Sequence, residues 1–311
     1  MRVIVRRHLL IFASFGAVGA VAQAQETAAP PVSGPSAGVE LFASTDSDHT
    51  DVVKVLGRFS LIDKGPDNYA GIAVEQAWFT PLGGRTRKDE RVYADLAGNA
   101  GGKLLWKARL GTDGRTWLGS ANLRTRDWSK EVFLEREIVE TPRGIDEGIY
   151  YTFLGASGDV PISPNDTVTL TGALQSFTGE NERLHARASF VHVIKPKLGL
   201  SLQFRTRYFH STNPGELDYY SPRNFFQALP VVQMRRFTAS GWMLLGAAGF
   251  GAQRATGSGW TTARLAEFRV ESPRGARGFR AFGQIQYSNN SLNGSGDYNY
   301  VMARAGVTSA F

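Results

Sequence analysis

Cationic side chains recur at alternate positions along several segments of the sequence. In the segment 198–210, Arg205 and Arg207 alternate with Phe204 and Tyr208. A guanidinium group binds carboxylates through two parallel hydrogen bonds and stacks on rings, which suits sugar acids. A row of such groups on one face raises the local concentration of anions. Eight cations with this polar parity are the candidates for contact with a solute: Arg58, Lys107, Arg109, Arg187, Arg205, Arg207, Arg280 and Arg304.

Carboxylates at the same parity provide an alternative to solute binding. They are fewer than the cations and include Glu75, Asp95, Glu135, Glu137 and Glu267. If they pair with the arginines, the charges hold the shape of the surface and do not bind a solute. Both interpretations are open from the sequence.

Two adjacent tyrosines form a second candidate site. Tyr219 and Tyr220 precede Ser221 and Pro222, and the residue before a proline favours an extended or turn conformation. The two rings could provide stacking faces for a sugar, or they could anchor the chain at a membrane interface.

Catalytic and metal chemistry lacks a recognisable pattern. None of the four histidines after the first 24 residues is flanked by a hydrolase motif, and a barrel hydrolase needs a histidine near its nucleophile. The sequence has no cysteine, which excludes disulfides, thiolate zinc sites and a cysteine nucleophile. No metal-binding or phosphate-binding motif is present. We therefore expect no enzyme activity, no cofactor and no metal.

The elements that carry these residues are predicted to be amphipathic β-strands. Period-two alternation recurs along the chain without sustained helical periodicity, which is the pattern of half-apolar strands. About sixteen such segments follow one another, with fourteen or eighteen as alternatives. Short turns at 99–102 and 112–114 are predicted on one rim, and longer loops at 83–90, 211–221 and 289–297 on the other.

The pattern favours a transmembrane antiparallel β-barrel over a soluble β-sandwich. Aromatic residues such as Trp106, Trp242 and Trp260 lie near strand ends, where they suit membrane interfaces. Long charged residues occupy the other face in strand after strand, which suits a water-filled lumen. The last segment alternates apolar residues up to Phe311, and this resembles the C-terminal signal of outer-membrane barrels.

The N-terminus predicts export of the chain. Arg2, Arg6 and Arg7 precede a short apolar stretch and the small-residue site Ala22-Gln23-Ala24, so residues 1–24 are predicted to be a signal peptide. Residues 25–36 are predicted to be a disordered lead-in and residues 37–311 the barrel, in contact with outer-membrane lipid. Removing the three signal arginines lowers the formal charge from +7 to +4, too small an excess for nucleic-acid binding.

Three short motifs resemble a known family. They are the segment 219–223 (YYSPR), the segment 134–140 (LEREIVE) and the segment 176–183 (SFTGENER). They look like parts of the C-terminal barrels of exopolysaccharide exporters, the cellulose and poly-N-acetylglucosamine export porins, and the resemblance spans roughly residues 39–311. It implies a sixteen-stranded barrel that moves a polymer across the outer membrane. Those exporters carry a helical-repeat scaffold before the barrel, so we expect a separate periplasmic scaffold protein to take that place here.

Three hypotheses about function follow. The first is export of an exopolysaccharide, an anionic one given the basic lumen, and the second is an anion-preferring porin for small solutes. The third is a structural or adhesive barrel with a plugged lumen that acts through its longer loops.

Overall fold

The computed structural model describes residues 34–47, 49–81, 83–273, 278–291 and 297–311. They form a closed antiparallel barrel of sixteen strands, each hydrogen-bonded to its neighbours in chain order. The strands are β1 Gly34–Asp46, β2 Asp51–Asp63, β3 Tyr69–Thr80, β4 Arg87–Ala100, β5 Leu104–Thr112, β6 Trp117–Thr125, β7 Lys130–Ile138, β8 Tyr150–Pro161, β9 Asp166–Phe177, β10 Glu182–Lys195, β11 Leu200–Ser211, β12 Asn224–Phe237, β13 Met243–Ala255, β14 Thr261–Glu271, β15 Phe279–Ser291 and β16 Asp297–Ala310. The predicted fold class and strand number are confirmed.

The barrel closes by pairing of the first and last strands. Ser36 on β1 lies opposite Ala310 on β16, and the backbone N–H of Phe311 donates to the carbonyl of Pro35 at 3.0 Å. Closure pairs the backbone N–H and C=O groups of the edge strands, which lipid cannot hydrogen-bond. Because β1 begins at Gly34, the predicted barrel boundary at residue 37 is slightly late, and residues 34–36 belong to the barrel. The predicted signal peptide and the rest of the lead-in lie outside the described residues.

Each strand has one face toward the lumen and one face outward. On β11, Ser201 and Gln203 are buried on the lumen side, whereas Leu202 and Phe204 are 45% and 47% exposed on the outside. The same alternation around the barrel produces an outer belt of exposed apolar side chains, among them Val39, Leu41, Ile72, Val74, Val92, Leu154, Leu174, Val232, Phe268 and Ile285. Such a belt is the surface that a barrel presents to lipid.

The two rims of the barrel differ in their connections. The rim that carries both ends of the chain, here the turn rim, has short connections such as 101–103 and 196–199. The opposite loop rim carries the two longest connections, 139–149 and 212–223. The turn at 112–114 was predicted beside the turn at 99–102, but it lies on the loop rim, because a single strand, β5, separates the two and successive connections alternate between rims. Outer-membrane barrels place their longer loops outside the cell, so the loop rim is the extracellular one.

One short helix lies in the β7–β8 connection. It is α1, Pro142–Glu147, whose N-cap Thr141 accepts a hydrogen bond from the backbone N–H of Gly144. Gly148 ends the helix with a φ of 71°, a left-handed conformation that favours glycine. Among the described residues, no helix is long and apolar enough to cross a bilayer.

Candidate functional site in the barrel lumen

The lumen face of β2, β4 and β5 carries a buried ion-pair cluster. A carboxylate oxygen of Asp95 lies 3.3 Å from a guanidinium nitrogen of Arg58 and 3.1 Å from one of Arg109. Arg58 also donates to the Thr308 hydroxyl at 2.8 Å, and its guanidinium lies over the ring of Tyr69. Two of the predicted solute contacts therefore share one carboxylate.

A second cluster joins strands that are not neighbours. Arg91 on β4 contacts Glu75 on β3 at 3.0 Å and Glu137 on β7 at 2.8 Å. Lys54 on β2 contacts Glu140, just beyond β7, at 2.6 Å. These contacts cross the inside of the barrel and fill the lumen beside β2 to β7.

Three further predicted solute contacts are ion-paired on the same half of the barrel. The pairs are Lys107–Asp67 at 3.5 Å, Arg304–Glu40 at 2.5 Å and Arg280–Asp63. We call this half of the lumen face, formed by β15, β16 and β1 to β7, the paired wall. Five of the eight predicted contacts lie on it, and for these the shape-holding alternative describes the structure.

The lumen face of β9 to β13 has a different composition. These strands are described in full, and none places an Asp or Glu toward the lumen. Their inward positions hold neutral polar, aliphatic, aromatic and glycine residues and His185, together with five arginines: Arg183, Arg187, Arg205, Arg207 and Arg235. We call this surface the arginine wall. It contains the other three predicted solute contacts.

Register places like charges side by side on the arginine wall. Arg187 on β10 lies directly opposite Arg207 on β11, and Ser189 lies opposite Arg205. Arg205 donates to the Gln203 side chain at 2.9 Å, a neutral acceptor. Within the described part of the chain, neither Arg187 nor Arg205 has a carboxylate oxygen within 4 Å.

Aromatic rings support two other guanidinium groups of this wall. Arg183, which the prediction of solute contacts did not include, donates to the carbonyl of Tyr220 at 2.7 Å and lies 4.6 Å from the ring centroid of Phe209. Arg207 lies 5.6 Å from the ring centroid of Phe209 and 5.4 Å from that of Phe225. Contacts of this kind stabilise a cation without neutralising it.

The β7–β8 connection folds into the lumen. Ile138 and Ile145 are buried and pack with Val52, Phe79 and Tyr93 of the paired wall. Phe79 has the same parity as Glu75 on β3 and is directed inward. No helix was predicted in this connection. The sequence Thr141-Pro142, an N-cap followed by a proline in the first turn, is the signal that could have indicated a helix here.

The β11–β12 connection also folds inward and contacts the first loop. Asp218 accepts hydrogen bonds from the Thr141 hydroxyl at 2.7 Å and from the Arg143 backbone N–H at 2.9 Å. Glu216 accepts from the backbone N–H groups of Glu180 and Asn181 at 2.7 and 2.9 Å. The two loops and the β9–β10 turn thus form one hydrogen-bonded assembly at the loop rim, here called the loop cap.

The predicted sugar-stacking tyrosines belong to the loop cap. Tyr219 is 4% exposed and Tyr220 8% exposed, and the Tyr219 ring stacks on Phe177 at 4.2 Å between centroids. The Asn181 side chain donates to the Tyr219 hydroxyl at 3.0 Å. Burial and the nearby Glu216 raise the pKa of Tyr219 to about 12. In this conformation neither ring has a free face for a sugar, and stacking would require the loop to move.

The three segments that carry the family resemblance meet in the loop cap. Segment 134–140 supplies Val139, which belongs to the same buried cluster as Phe177 and Tyr219, and segment 176–183 supplies the turn that Glu216 binds. Segment 219–223 supplies the tyrosines. Asp218 and Glu216, which connect these segments, were not predicted, because nothing in the sequence indicates which loop carboxylates accept backbone hydrogen bonds.

The histidines of the described part of the chain do not form a catalytic arrangement with a serine and a carboxylate. His185 faces the lumen, with Nε2 3.1 Å from the side-chain oxygen of Gln175. His192 faces outward and pairs with Asp166 at 2.7 Å. No group of three or more His, Asp or Glu residues that could hold a metal ion occurs among the described residues.

Comparison with known proteins places the fold among outer-membrane barrels. A solved bacterial polysaccharide outer membrane secretin is 14% identical and has a TM-score of 0.63, with 88% of this chain and 98% of that chain covered. Pseudomonas aeruginosa OccK5 (OpdH) is 10% identical with a TM-score of 0.41, covering 90% and 98%. The KdgM porin in complex with disordered oligogalacturonate is 8% identical with a TM-score of 0.36, covering 88% and 99%.

Sequence comparison adds no closer relative. No protein-family model matches the chain, and no curated protein matches it. The closed sixteen-stranded barrel, its apolar outer belt and the structural likeness to the secretin together make this chain a protein of the bacterial outer membrane, in contact with its lipid.

Proposed function

We propose that this barrel is an outer-membrane channel through which an anionic exopolysaccharide leaves the cell. The observation that carries the proposal is the arginine wall, with five inward arginines on β9 to β13 and no inward carboxylate on those strands. The charge of this surface attracts anions into the lumen. A sixteen-stranded barrel is wide enough to enclose an aqueous channel.

The arrangement of the arginines suits a chain molecule. Arg235 lies near the turn rim, Arg205 and Arg207 lie in the middle of β11, and Arg183 lies near the loop rim. At about 3.3 Å per residue, a row from one end of β11 to the other spans roughly 40 Å. A polymer with repeated carboxylates would make many weak contacts along this row and slide without being trapped.

The likeness of the fold to a polysaccharide secretin supports the same proposal. The loop cap bears on it as well, because a polymer leaving through the loop rim has to displace the two inward loops. A periplasmic scaffold protein would deliver the polymer to the turn rim, as the resemblance to exopolysaccharide exporters implies.

An anion-preferring porin for small solutes is the second candidate. The loop cap favours it, since two hydrogen-bonded loops narrow the loop rim and a small anion needs a narrower opening than a polymer does. A porin of this kind would show steady conductance in a planar bilayer without any polymer, and its gene deletion would leave polysaccharide secretion intact.

Gene deletion tests the export proposal directly. We expect the deletion strain to lose extracellular polysaccharide and a plasmid copy of the wild-type gene to restore it. A copy carrying Arg205→Glu and Arg207→Glu should restore a folded barrel, seen as a band whose mobility changes on boiling, but not secretion. Unchanged secretion in the deletion strain, with no second copy present, would reject export; steady conductance would then identify the porin, and its absence the plugged structural barrel.

A further inference from the structure

The centre of the arginine wall has the composition of a binding site for one anionic group. We propose that Arg187, Arg207 and Ser189 form a station that binds a single carboxylate of a sugar acid. This inference rests on the proposed function and deepens it, because it assigns the substrate class to particular residues.

Cross-strand register brings the two cations of this station together. Arg187 and Arg207 are directly opposite each other on the lumen face of adjacent antiparallel strands. Directly opposite residues have Cβ atoms about 5 Å apart, and like charges in this position destabilise the pair. An anion bound between the two guanidinium groups would attract both of them and offset their mutual repulsion.

Among the described residues, no carboxylate or other acceptor contacts the Arg187 guanidinium in the position proposed for this anion. Its neighbour on the other side is the neutral Thr171 on β9, and no described residue lies within hydrogen-bond or ion-pair distance of its guanidinium. Arg205, in contrast, donates to Gln203 and Gln233. Of these two arginines, Arg187 is the one whose guanidinium fork is left for a ligand.

A buried hydroxyl lies on the same lumen face as the two arginines, opposite Arg205. Ser189 lies two residues from Arg187 on the same face and is 8% exposed, and its hydroxyl oxygen has no hydrogen-bond partner in the described part of the chain. A buried polar group without a partner costs free energy, and a bound carboxylate oxygen would accept its hydrogen. The station thus offers two guanidinium groups and one hydroxyl donor.

The geometry favours a carboxylate over a spherical ion. Arginine forks match planar carboxylates through parallel hydrogen bonds, and Arg207 is held in place by the rings of Phe209 and Phe225. A chloride ion would be attracted by the positive charge but could not accept two parallel hydrogen bonds from one guanidinium group.

Calorimetric titration of the detergent-solubilised barrel tests the station. Sodium glucuronate is the probe, with glucose as the neutral comparator and inorganic phosphate and chloride as competing anions, all at constant ionic strength. We expect glucuronate to bind and glucose not to bind. Arg187→Gln should weaken glucuronate binding about tenfold or more, since a hydrogen-bonded charge contributes at least about one tenfold step.

Two further variants distinguish binding by the parallel N–H donors of Arg187 from binding by the overall positive charge of the lumen. Arg187→Lys keeps the charge and loses the parallel donors, so it should also weaken binding. Arg254→Gln removes the same charge from an exposed, outward-facing arginine of β13 and should leave binding unchanged. All variants are first checked for the boiling-dependent mobility of a closed barrel.

The outcomes decide the inference separately from the proposed function. Equal binding of glucose and glucuronate, unchanged binding by Arg187→Gln, or phosphate and chloride binding as tightly as glucuronate would each overturn the carboxylate station. Loss of glucuronate binding in Arg187→Gln supports the station even if gene deletion leaves secretion intact, which would reject export alone.

Discussion

The paired wall and the arginine wall carry the same cationic residue types in different surroundings. On the paired wall, Arg58, Arg91 and Arg109 each lie within 3.3 Å of a carboxylate oxygen. On the arginine wall, Arg187 and Arg205 have no carboxylate within 4 Å among the described residues. The difference comes from register, which decides the neighbours of each inward side chain. Parity identifies the face on which an arginine lies, and the neighbouring strands determine whether its charge is neutralised.

The two walls also differ in what they do for the barrel. Buried charges are costly unless they are paired, and the paired wall uses its ion pairs to fill part of the lumen and to hold Glu140 of the β7–β8 loop beside Lys54. The arginine wall instead supports Arg183 and Arg207 by aromatic rings and Arg205 by side-chain amides. We therefore expect substitutions on the paired wall to change stability, and substitutions on the arginine wall to change ion selectivity.

Removal of Asp95 should produce the largest loss of stability. The Asp95 side chain is 3% exposed and contacts both Arg58 and Arg109. Asp95→Asn leaves two partly buried guanidinium groups without their shared counter-charge, at an expected cost of about 3 kcal/mol. Denaturant unfolding followed by the boiling-dependent mobility shift would measure it.

Arg205→Gln is the matched control for this prediction. Arg205 faces the lumen like Arg109 but donates to neutral amides, so its loss should cost no more than about 1.5 kcal/mol. If Asp95→Asn were as mild as Arg205→Gln, the ion pairs would not be what separates the two walls.

Charge reversal on the arginine wall should have the next largest effect, on selectivity. In a planar bilayer under a salt gradient, the wild-type reversal potential should have the anionic sign, because the cations of the opposite wall are neutralised. Arg205→Glu with Arg207→Glu should weaken or reverse it. Arg254→Glu, the same change on the outer surface of β13, should leave the reversal potential as it was. A cation-selective wild-type barrel would contradict the proposed difference in net charge between the paired wall and the arginine wall.

The sequence predicted the strands better than the site. Period-two alternation was sufficient to place Arg205 and Arg207 on the lumen face, because a strand alternates whatever its neighbours are. It was not sufficient to separate Arg109 from Arg187. The first meets Asp95 on β4 and the second meets Arg207 on β11, and that pairing depends on the register of strands that are adjacent only in the folded barrel.

The alternation pattern of the strands did not predict the loop cap, and the reason is different. No helix was predicted in residues 139–149, because the chain shows no sustained helical periodicity there. Their burial depends on a lumen that exists only after the barrel has closed. Asp218 and Glu216 are likewise ordinary loop carboxylates in the sequence, and their partners are backbone N–H groups of distant segments.

Asp218→Asn should loosen the connection between the loops of the two walls. Asp218, on the loop between β11 and β12, binds Thr141 and Arg143 of the β7–β8 loop. Loss of the charged acceptor should weaken this contact by about 1.5 kcal/mol. Single-channel recordings should then show more frequent transitions to a higher conductance. Unchanged recordings would mean that the loops are held mainly by apolar packing.

Tyr219→Phe should have the smallest effect, and its dependence on pH identifies the cause. Phenylalanine keeps the stack on Phe177 and loses the hydroxyl contacts with Asn181 and Glu216, a cost of about 1 kcal/mol at neutral pH. Burial raises the pKa of Tyr219 from 10.0 to about 12, so folding favours its neutral form. That contribution is complete below about pH 10 and is lost as the pH rises through about 12. The stability difference between wild type and variant, measured by denaturant unfolding, should therefore be constant up to about pH 10 and shrink above it. A difference that stays constant through pH 12 would show that the hydroxyl is solvated in the folded barrel and that the loop on the arginine wall is open.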